Sequence, residues 1–254
     1  MRTYPYGHIL GVRVNAIGFA DTVSQIASWV QAGKSSYVVV ANVHVTMMAH
    51  DNPNYLQVVN GADLVVPDGM PLIWVLRLFG FRNQDRVYGP GLVLAICRWA
   101  EYEGIPVFFY GSTSEALNDL RRNLIEKYPN ISIAGMYSPP FRPLSQDEVK
   151  ADANRINSSG AKIVFVGLGA PKQEKWMAAQ RNQINAVMIG VGAAFDFLAG
   201  RIRSAPTWMQ RAGLEWFHRL LMEPRRLWRR YLYYNPRFIA LLFCRLAELK
   251  KSKG

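Results

Sequence analysis

Cysteine is scarce in this sequence, and so are long apolar runs. Only Cys97 and Cys244 occur among 254 residues, so a disulfide framework or a cysteine-based zinc site is not expected and a reducing compartment fits. No uncharged run reaches the roughly 18 residues that a membrane-spanning helix needs, and the first residues lack the apolar core of a signal peptide. The sequence therefore predicts a protein with no transmembrane helix.

Several familiar binding motifs are missing too. The third glycine of the dinucleotide fingerprint G-x-G-x-x-G is replaced by Lys172 in one glycine turn and by Phe195 in another, and no P-loop pattern occurs. The four histidines lack metal-ligand spacing, and no Asp-x-Asp pair is present to hold a divalent ion. A dinucleotide oxidoreductase and an ordinary NTPase are disfavoured. We expect no metal and no cofactor, and amides, Arg and Lys would meet the charge of a bound diphosphate.

Positive charge is concentrated at one end of the chain. Residues 201–254 hold 13 Lys and Arg against 3 Asp and Glu, a balance of +10, whereas the other 200 residues carry +2. This asymmetry predicts a polyanionic partner: nucleic acid, an anionic membrane surface or a phosphate-bearing substrate. Aromatic residues alternate with the arginines, which favours the membrane interface. The alternative is a helix that packs on the domain with its charges in water.

The first 200 residues alternate predicted strands with predicted helices. The strand patterns are apolar throughout, which is typical of a parallel sheet covered on both faces. We therefore predict an α/β domain, residues 1–200, with a mostly parallel Rossmann-like sheet and helices on both faces, followed by a basic helical appendage, residues 201–254. Predicted strands are 8–12, 36–43, 64–66, 106–110, 131–136, 162–166 and 186–192. Predicted helices are 21–33, 53–60, 71–78, 92–103, 115–127, one with a capping box at Ser145 and Glu148, and one from Pro171.

One carboxylate lies on a predicted strand-to-helix turn. Pro67 ends a buried strand, Gly69 relaxes the turn, and Pro71 fits the first turn of a helix. In open α/β sheets the ligand crevice lies at the carboxyl ends of the strands. Asp68 is therefore a candidate general base; the alternative is that it only caps the following helix.

Three glycine turns follow predicted strands at Gly111-Ser112, Gly167-Leu168-Gly169 and Gly190-Val191-Gly192. Each should place backbone amides at the start of a helix, which is a favourable site for a diphosphate. The turns and the candidate base therefore predict one pocket at the carboxyl edge of the sheet.

Several longer motifs occur in one order between about Asn42 and Pro236. They are Pro67-Asp68-Gly69-Met70-Pro71, Arg86-Val87-x-Gly89, Phe109-Tyr110-Gly111-Ser112, Gly167-x-Gly169-x-Pro171-Lys172-Gln173-Glu174-x-Trp176-Met177, Gly190-Val191-Gly192-Ala193-Ala194-Phe195-Asp196 and Arg203-x-Ala205-Pro206-x-Trp208-Met209-Gln210-Arg211-x-Gly213-Leu214-Glu215-Trp216. As a set they resemble the WecG/TagA/CpsF family.

The resemblance implies a bacterial, metal-independent, inverting glycosyltransferase. Such enzymes move a sugar from a UDP-sugar to a polyprenyl-diphosphate-linked sugar during surface polysaccharide or teichoic acid assembly. The resemblance implies that Asp68 is the catalytic base, that Arg86 and Gln173 belong to the active site, and that the appendage binds the membrane. The expected substrate-binding residues, including three arginine candidates for the lipid diphosphate, are Asn42, Arg86, Gly111, Ser112, Gly167, Gly169, Lys172, Gln173, Arg225, Arg229 and Arg230.

Two departures from the family pattern leave the donor sugar open. Val40-Ala41-Asn42 stands where many members have Thr-x-Asn, and Gly89-Pro90-Gly91-Leu92 where many have Gly-x-Asp-Leu. Both remove polar groups, so N-acetylmannosamine, its uronic acid and a hexose are all considered.

The resemblance also implies where the protein acts and with what. The expected partners are a UDP-sugar, the lipid-linked acceptor and the cytoplasmic face of the bacterial inner membrane, without nucleic acid; a homo-oligomer is left open. The alternative from another class is a non-catalytic protein whose basic tail binds RNA or anionic lipid.

Overall fold

A six-stranded sheet forms the centre of the protein in the computed structural model, which describes residues 3–251 apart from the side chains of 246 and 248–251. The strand order is β4-β3-β8-β7-β5-β6, and every neighbouring pair is parallel. The predicted α/β fold is confirmed. The six strands are β3 (Ser36–Ala41), β4 (Leu64–Pro67), β5 (Val107–Gly111), β6 (Ile133–Tyr137), β7 (Ile163–Gly167) and β8 (Val187–Gly190).

The N-terminal segment forms a separate two-stranded hairpin, β1 (Tyr6–Ile9) and β2 (Val12–Asn15). The prediction of a single strand over residues 8–12 is therefore wrong. Leu10 and Gly11 both have positive φ, 47° and 92°, and these left-handed residues reverse the chain in a two-residue turn.

Twelve helices occur among the described residues. The predicted positions are confirmed for most of them, including the Ser145–Glu148 capping box. Helix α1 is capped by Gly18 rather than by Asp21, which lies in the first turn. The helices are α1 (Phe19–Gln31), α2 (Val43–Asp51), α3 (Pro53–Asn60), α4 (Met70–Leu78), α5 (Gly89–Glu103), α6 (Ser114–Lys127), α7 (Gln146–Ser158), α8 (Lys172–Gln180), α9 (Ala194–Leu198), α10 (Thr207–Arg211), α11 (Glu215–Met222) and α12 (Pro224–Lys251).

Helix α2 was not predicted from the sequence. The β-branched run that begins at Ser36 continues to Val43, but the strand ends at Ala41 because Asn42 turns the chain. The Asn42 side chain accepts a hydrogen bond from the N–H of Val45 at 3.2 Å, which satisfies a free amide at the helix start. The carboxyl end of β3 is thus one residue before a helix N-terminus.

Two hydrophobic clusters cover the two faces of the sheet. Because side chains alternate along a strand, Val39 and Ala41 of β3 pack into one cluster with α2, α3, α4, α7 and α8. Val38 and Val40 pack into the other with α1, α5, α6 and α9. Burial on both sides explains why the strands are apolar throughout, and it leaves the strand ends as the place for polar groups.

The C-terminal helices α10, α11 and α12 pack on the edge of this domain. Helix α12 lies against α2 and α11 and buries Leu227, Tyr231 and Phe238. Gly213 has φ +71°, and a Cβ there would lie 2.8 Å from the Trp74 ring of α4, so glycine permits this close approach. No helix within residues 3–251 combines the length and apolarity required to cross a membrane. The division at residue 200 stays a prediction.

Candidate active site

Asp68 directly follows β4 and is tied to the sheet by its backbone. Its N–H donates to the carbonyl oxygen of Ala41 at 2.7 Å, and the N–H of Val87 donates to the carbonyl oxygen of Pro67 at 2.9 Å. The second bond holds the 86–88 loop beside Asp68. Gly69 is the N-cap of α4, which has no side-chain cap, so the interpretation of Asp68 as a helix cap is wrong.

Arg86 joins Asp68 to a second carboxylate, Glu215 at the start of α11. Its Nη2 lies 2.9 Å from Asp68 Oδ1 and its Nη1 lies 2.7 Å from Glu215 Oε2. Its Nε also donates to the Asp68 carbonyl oxygen. Within residues 3–251, Asp68 Oδ2 has no hydrogen-bond partner, so one oxygen of the carboxylate is free to accept a proton.

The environment of this pair makes Asp68 a stronger base. Burial raises the pKa of Asp68 above its ordinary value, Arg86 opposes this, and the nearby Glu215 carboxylate raises it further. Burial by itself lowers the pKa of Arg86, but Asp68 and Glu215 together raise it, so its guanidinium stays charged. A carboxylate with a raised pKa is better suited to remove a proton at neutral pH.

Glu215 was given no role from the sequence. It is one of three acidic residues in a segment of balance +10, and it lies inside the Gly213-Leu214-Glu215-Trp216 motif. The sequence feature that could have indicated a role is that Glu215 is an isolated carboxylate among arginines. Only the fold shows that this carboxylate reaches the β4 turn, more than 140 residues earlier in the chain.

A polar cleft of about 410 Å³ opens at the carboxyl ends of β3, β5, β7 and β8. We call it the glycine-turn chamber. The predicted turns meet here, and each precedes a helix, α6, α8 or α9. Its lining includes Asn42, Asp68, Arg86, Ser112, Gly167, Gly169, Gln173, Gly190, Gly192, Arg219, Arg226 and Arg230.

Gln173 connects two of the glycine turns. Its Oε1 accepts hydrogen bonds from the N–H of Gly169 at 3.2 Å and of Gly192 at 3.0 Å. Its Nε2 donates to the buried carboxylate of Glu174 at 2.8 Å, and Glu174 also accepts from the Tyr55 hydroxyl at 3.0 Å. The side chain is only 4% exposed. These contacts give Gln173 a positioning role for the turns; its direct contact with substrate stays a prediction.

A second cavity, about 460 Å³ and mainly apolar, lies on the other side of Asp68. We call it the apolar groove. Helix α4 forms one wall, and α11 and α12 form the other. Its apolar lining includes Met70, Pro71, Trp74, Val75, Leu78, Leu214, Trp216, Tyr231, Tyr234, Phe238, Ile239, Leu242 and Phe243.

The two cavities share a charged boundary. Seven residues border both of them: Asn42, His44, Asp68, Arg86, Glu215, Arg219 and Arg230. A group seated against Asp68 therefore has a polar, amide-rich cavity on one side and an apolar one on the other. That arrangement suits a reaction between a phosphate-bearing donor and an amphipathic acceptor.

Arginines of the C-terminal helices supply positive charge at this boundary. Glu223 pairs with Arg219 at 3.8 Å and with Arg226 at 2.5 Å, whereas Arg230 has no ion pair within the described residues. Burial, and after it the guanidinium groups of Arg219 and Arg226, lower the pKa of Arg230. The Nε atoms of Arg230 and Arg219 are buried without a hydrogen-bond partner among the described residues. Burial and the nearby Arg230 lower the pKa of His44 to about 3, so His44 is neutral at pH 7. The boundary is thus suited to an anion.

Eight of the twelve predicted site residues line the two cavities. Those eight are Asn42, Asp68, Arg86, Ser112, Gly167, Gly169, Gln173 and Arg230. Gly111 is buried behind the turn, where a Cβ would lie 2.6 Å from the Gly167 backbone. The other three, Lys172, Arg225 and Arg229, are exposed and border neither cavity.

Helical geometry explains why Arg226 and Arg230 line the glycine-turn chamber while Arg225 and Arg229 do not. Residues 226 and 230 are four apart and lie on one face of α12, whereas residues 225 and 229 are rotated by about 100°. Arg226 and, from α11, Arg219 were not predicted, yet both line the glycine-turn chamber. The arginine-rich pattern indicated the helix but not the face that turns inward.

The two departures from the family pattern lie at or next to the same chamber. Val40 borders it directly. Gly91 is buried, and a Cβ there would lie 2.5 Å from the ring of Tyr88, so the ring occupies the space of a side chain at 91. Tyr88 in turn lies against Arg86, whose guanidinium carbon is 5.3 Å from the ring centre.

Comparison with known proteins finds relatives along most of the chain. The pattern described as Glycosyl transferase WecG/TagA/CpsF family matches residues 7–252. The chain is 34% identical over 226 residues to an N-acetylglucosaminyldiphosphoundecaprenol N-acetyl-beta-D-mannosaminyltransferase of Bacillus spizizenii, covering 86% of each chain. It is 30% identical over 233 residues to a protein of the same name from Bacillus subtilis, covering 91% of this chain and 88% of the relative.

These matches cover the α/β domain and the C-terminal helices alike. They decide against the alternative of a non-catalytic binding protein. The chain belongs to the WecG/TagA/CpsF family and is a glycosyltransferase.

Proposed function

We propose that this protein transfers a sugar from a UDP-sugar to a sugar linked to polyprenyl diphosphate, with inversion at the anomeric carbon and without a metal ion. The observation that supports this most is the position of Asp68. It lies between an amide-rich chamber and an apolar groove, and its Oδ2 is unbonded within the described residues. The relatives, named for an undecaprenol-linked acceptor, support the acceptor class.

The reaction is a direct displacement. Asp68 Oδ2 takes the proton of the acceptor hydroxyl as that oxygen forms a bond to the anomeric carbon of the donor. The bond from the anomeric carbon to the diphosphate oxygen breaks on the opposite face, and UDP leaves as the anion. The boundary arginines stabilise the charge that develops on UDP, together with turn amides other than those of Ser112, Gly169 and Gly192, which already donate within the turns.

Arg86 has a positioning role in this scheme. Its bonds to Asp68 Oδ1 and to Glu215 fix the carboxylate so that Oδ2 faces the cleft. The cationic boundary carries out the charge neutralisation that a divalent ion performs in other nucleotide-sugar enzymes. Metal independence follows from this as part of the proposal.

The relatives support N-acetylmannosamine as the first donor to test. Val40 is an apolar lining residue of the chamber, and the Tyr88 ring fills the space beside Gly91, where many family members have a polar side chain. The uronic acid and a neutral hexose are therefore the other two donors to compare.

We further propose that the protein works on the cytoplasmic face of the bacterial membrane, in surface polysaccharide assembly. The basic, aromatic-rich helices after residue 200 support attachment to anionic lipid. Exposed aromatic residues Trp208 and Trp228 lie beside this charge. UDP-sugars are made in the cytoplasm, so donor and membrane-bound acceptor meet at that surface.

The experiment is a transfer assay with a panel of UDP-sugars and an N-acetylglucosaminyl diphosphoryl polyprenol acceptor, in excess EDTA. We expect acceptor-dependent release of UDP and a product whose anomeric configuration, determined by NMR, is opposite to that of the donor. Loss of activity in EDTA with rescue by Mg²⁺ or Mn²⁺ would contradict metal independence alone. Absence of transfer from every donor, with or without added metal, would contradict the proposed function.

A further inference from the structure

The outer half of the apolar groove exposes large apolar side chains. Leu78 at the end of α4 is 67% exposed, and Ile239 and Phe243 of α12 are 54% and 69% exposed. All three border the same groove. A concave apolar surface of this kind is typical of a ligand site rather than of the ordinary scatter of exposed residues.

The α4 wall of the groove is apolar along its length, and the polarity of the α12 wall falls with distance from Arg230. Helix α4 begins two residues after Asp68 and presents Met70, Trp74 and Leu78 to the groove; at about 1.5 Å per residue this wall is roughly 12 Å long. Helix α12 begins its wall with Arg230 at the charged boundary and ends it with Phe243. The two ends of the groove therefore differ in character: the inner end is cationic and the outer end is apolar.

We propose that the apolar groove binds the first isoprene units of the acceptor's lipid chain, with the attached diphosphate at the Arg219 and Arg230 boundary. This inference rests on the proposed function. It assigns the lipid chain of the acceptor to the apolar groove and the diphosphate to the arginine boundary. The groove would then select acceptors by the presence and length of an isoprenoid chain.

Continuity of the groove with the charged boundary is the argument for this occupant. A lipid whose diphosphate lies at Arg230 must leave the site through one of the two cavities. The glycine-turn chamber has some apolar lining, such as Phe141 and Leu168, but Ser112, Asp196 and arginines also line it. An apolar chain there would desolvate these polar groups without replacing their hydrogen bonds. The apolar groove offers the same chain Trp74, Phe238 and Leu242.

The first test measures KM for water-soluble acceptors that differ only in carrying one, two, three or four isoprene units. Each buried methylene contributes about fourfold to binding, so we expect KM to fall by at least about tenfold per unit while the chain fits the groove. Longer chains should bring no further gain, and kcat should change little. Binding of the corresponding isoprenyl diphosphates without sugar, measured by calorimetry, should follow the same order of chain length.

The second test compares two matched variants on α12. Ile239 borders the groove, whereas Leu232, 61% exposed and on the same helix, does not. Both are exposed, so their replacement by glutamine should leave the fold intact. We expect Ile239→Gln to raise KM for the longer soluble acceptors by roughly tenfold and to leave the shortest nearly unchanged. Leu232→Gln should leave KM unchanged for every soluble acceptor.

Three results would overturn the inference. The first is KM or calorimetric binding that does not depend on chain length. The second is equal behaviour of the two variants, which would make the exposed residues of α12 a general membrane contact. The third is equal preference for saturated acyl and isoprenoid chains of the same length, which would indicate a phospholipid occupant. Failure of the proposed function is distinguishable, because the wild-type protein would then transfer no sugar to an acceptor of any length.

Discussion

The glycine-turn chamber and the apolar groove meet at Asp68 but are built in different ways. The chamber is lined by backbone at the ends of strands whose positions are fixed by the sheet's hydrogen bonds. The groove is formed by side chains of α4, α11 and α12, many of them half exposed. Placing amides around a diphosphate requires a rigid backbone, whereas holding an apolar chain requires only surface area.

Asp68 belongs to both cavities, so its loss should have the largest effect. Asp68→Asn keeps the shape of the side chain and removes the proposed base, and we expect transfer to fall by about 10² to 10⁴. Circular dichroism and donor binding should remain close to wild type, because Asp68 makes no helix cap. Transfer near the wild-type rate would rule out Asp68 as the base.

The arginine boundary offers a matched pair of substitutions on one helix. Arg230 borders both cavities and Arg229 borders neither, yet each substitution by alanine removes one positive charge. A charge-assisted contact to phosphate is worth about 1.5–3 kcal/mol, so Arg230→Ala should lower activity on a soluble acceptor by roughly 10- to 100-fold. The Arg229→Ala variant should keep the wild-type activity on the same soluble acceptor. Equal defects would mean that only the total charge of the tail matters.

Gln173 tests how far the chamber depends on rigid turns. Gln173→Leu leaves the amide of Gly169 without its acceptor and the amide of Gly192 with only its 3.3 Å bond to the Val166 carbonyl oxygen. An unsatisfied buried group costs about 1–3 kcal/mol. We expect a lower melting temperature and a higher KM for the UDP-sugar, with KM for the lipid acceptor nearly unchanged. A rise in the acceptor KM alone would contradict the prediction, because it would mean that Gln173 supports the apolar groove and not the glycine-turn chamber.

Glu215→Gln should have the smallest effect, visible mainly as a shift with pH. In the proposed mechanism transfer needs deprotonated Asp68, so activity should fall as pH decreases through the pKa of that group. The Glu215 carboxylate raises this pKa, so the variant should keep its activity to lower pH than the wild type. The measurement is kcat/KM against pH. An Asp51→Asn control removes an ion pair between α2 and α12, to Arg237, and should leave the profile in place.

The sequence predicted the chamber better than the groove, for physical reasons. Strand, turn and helix signals are local, so the Asp68 turn and the three glycine turns could be located without knowing the fold. The predicted strand extends to Val43 because the β-branched run continues that far. In the structure β3 ends at Ala41, because the Asn42 side chain accepts a hydrogen bond from the N–H of Val45 and begins a helix. Local sequence cannot show which face of α12 turns inward or that Glu215 reaches Arg86, because both depend on how distant segments pack.

The shared boundary also has a thermodynamic consequence. Since Asp68, Arg86, Glu215 and Arg230 border both cavities, a ligand in one cavity changes the electrostatic field and the side-chain order that a ligand in the other cavity meets. Binding linkage is reciprocal: whatever factor the lipid contributes to affinity for the nucleotide sugar, the nucleotide sugar must contribute to affinity for the lipid. For the proposed reaction, this linkage would let the enzyme hold its donor weakly in the absence of acceptor and so limit hydrolysis of the donor.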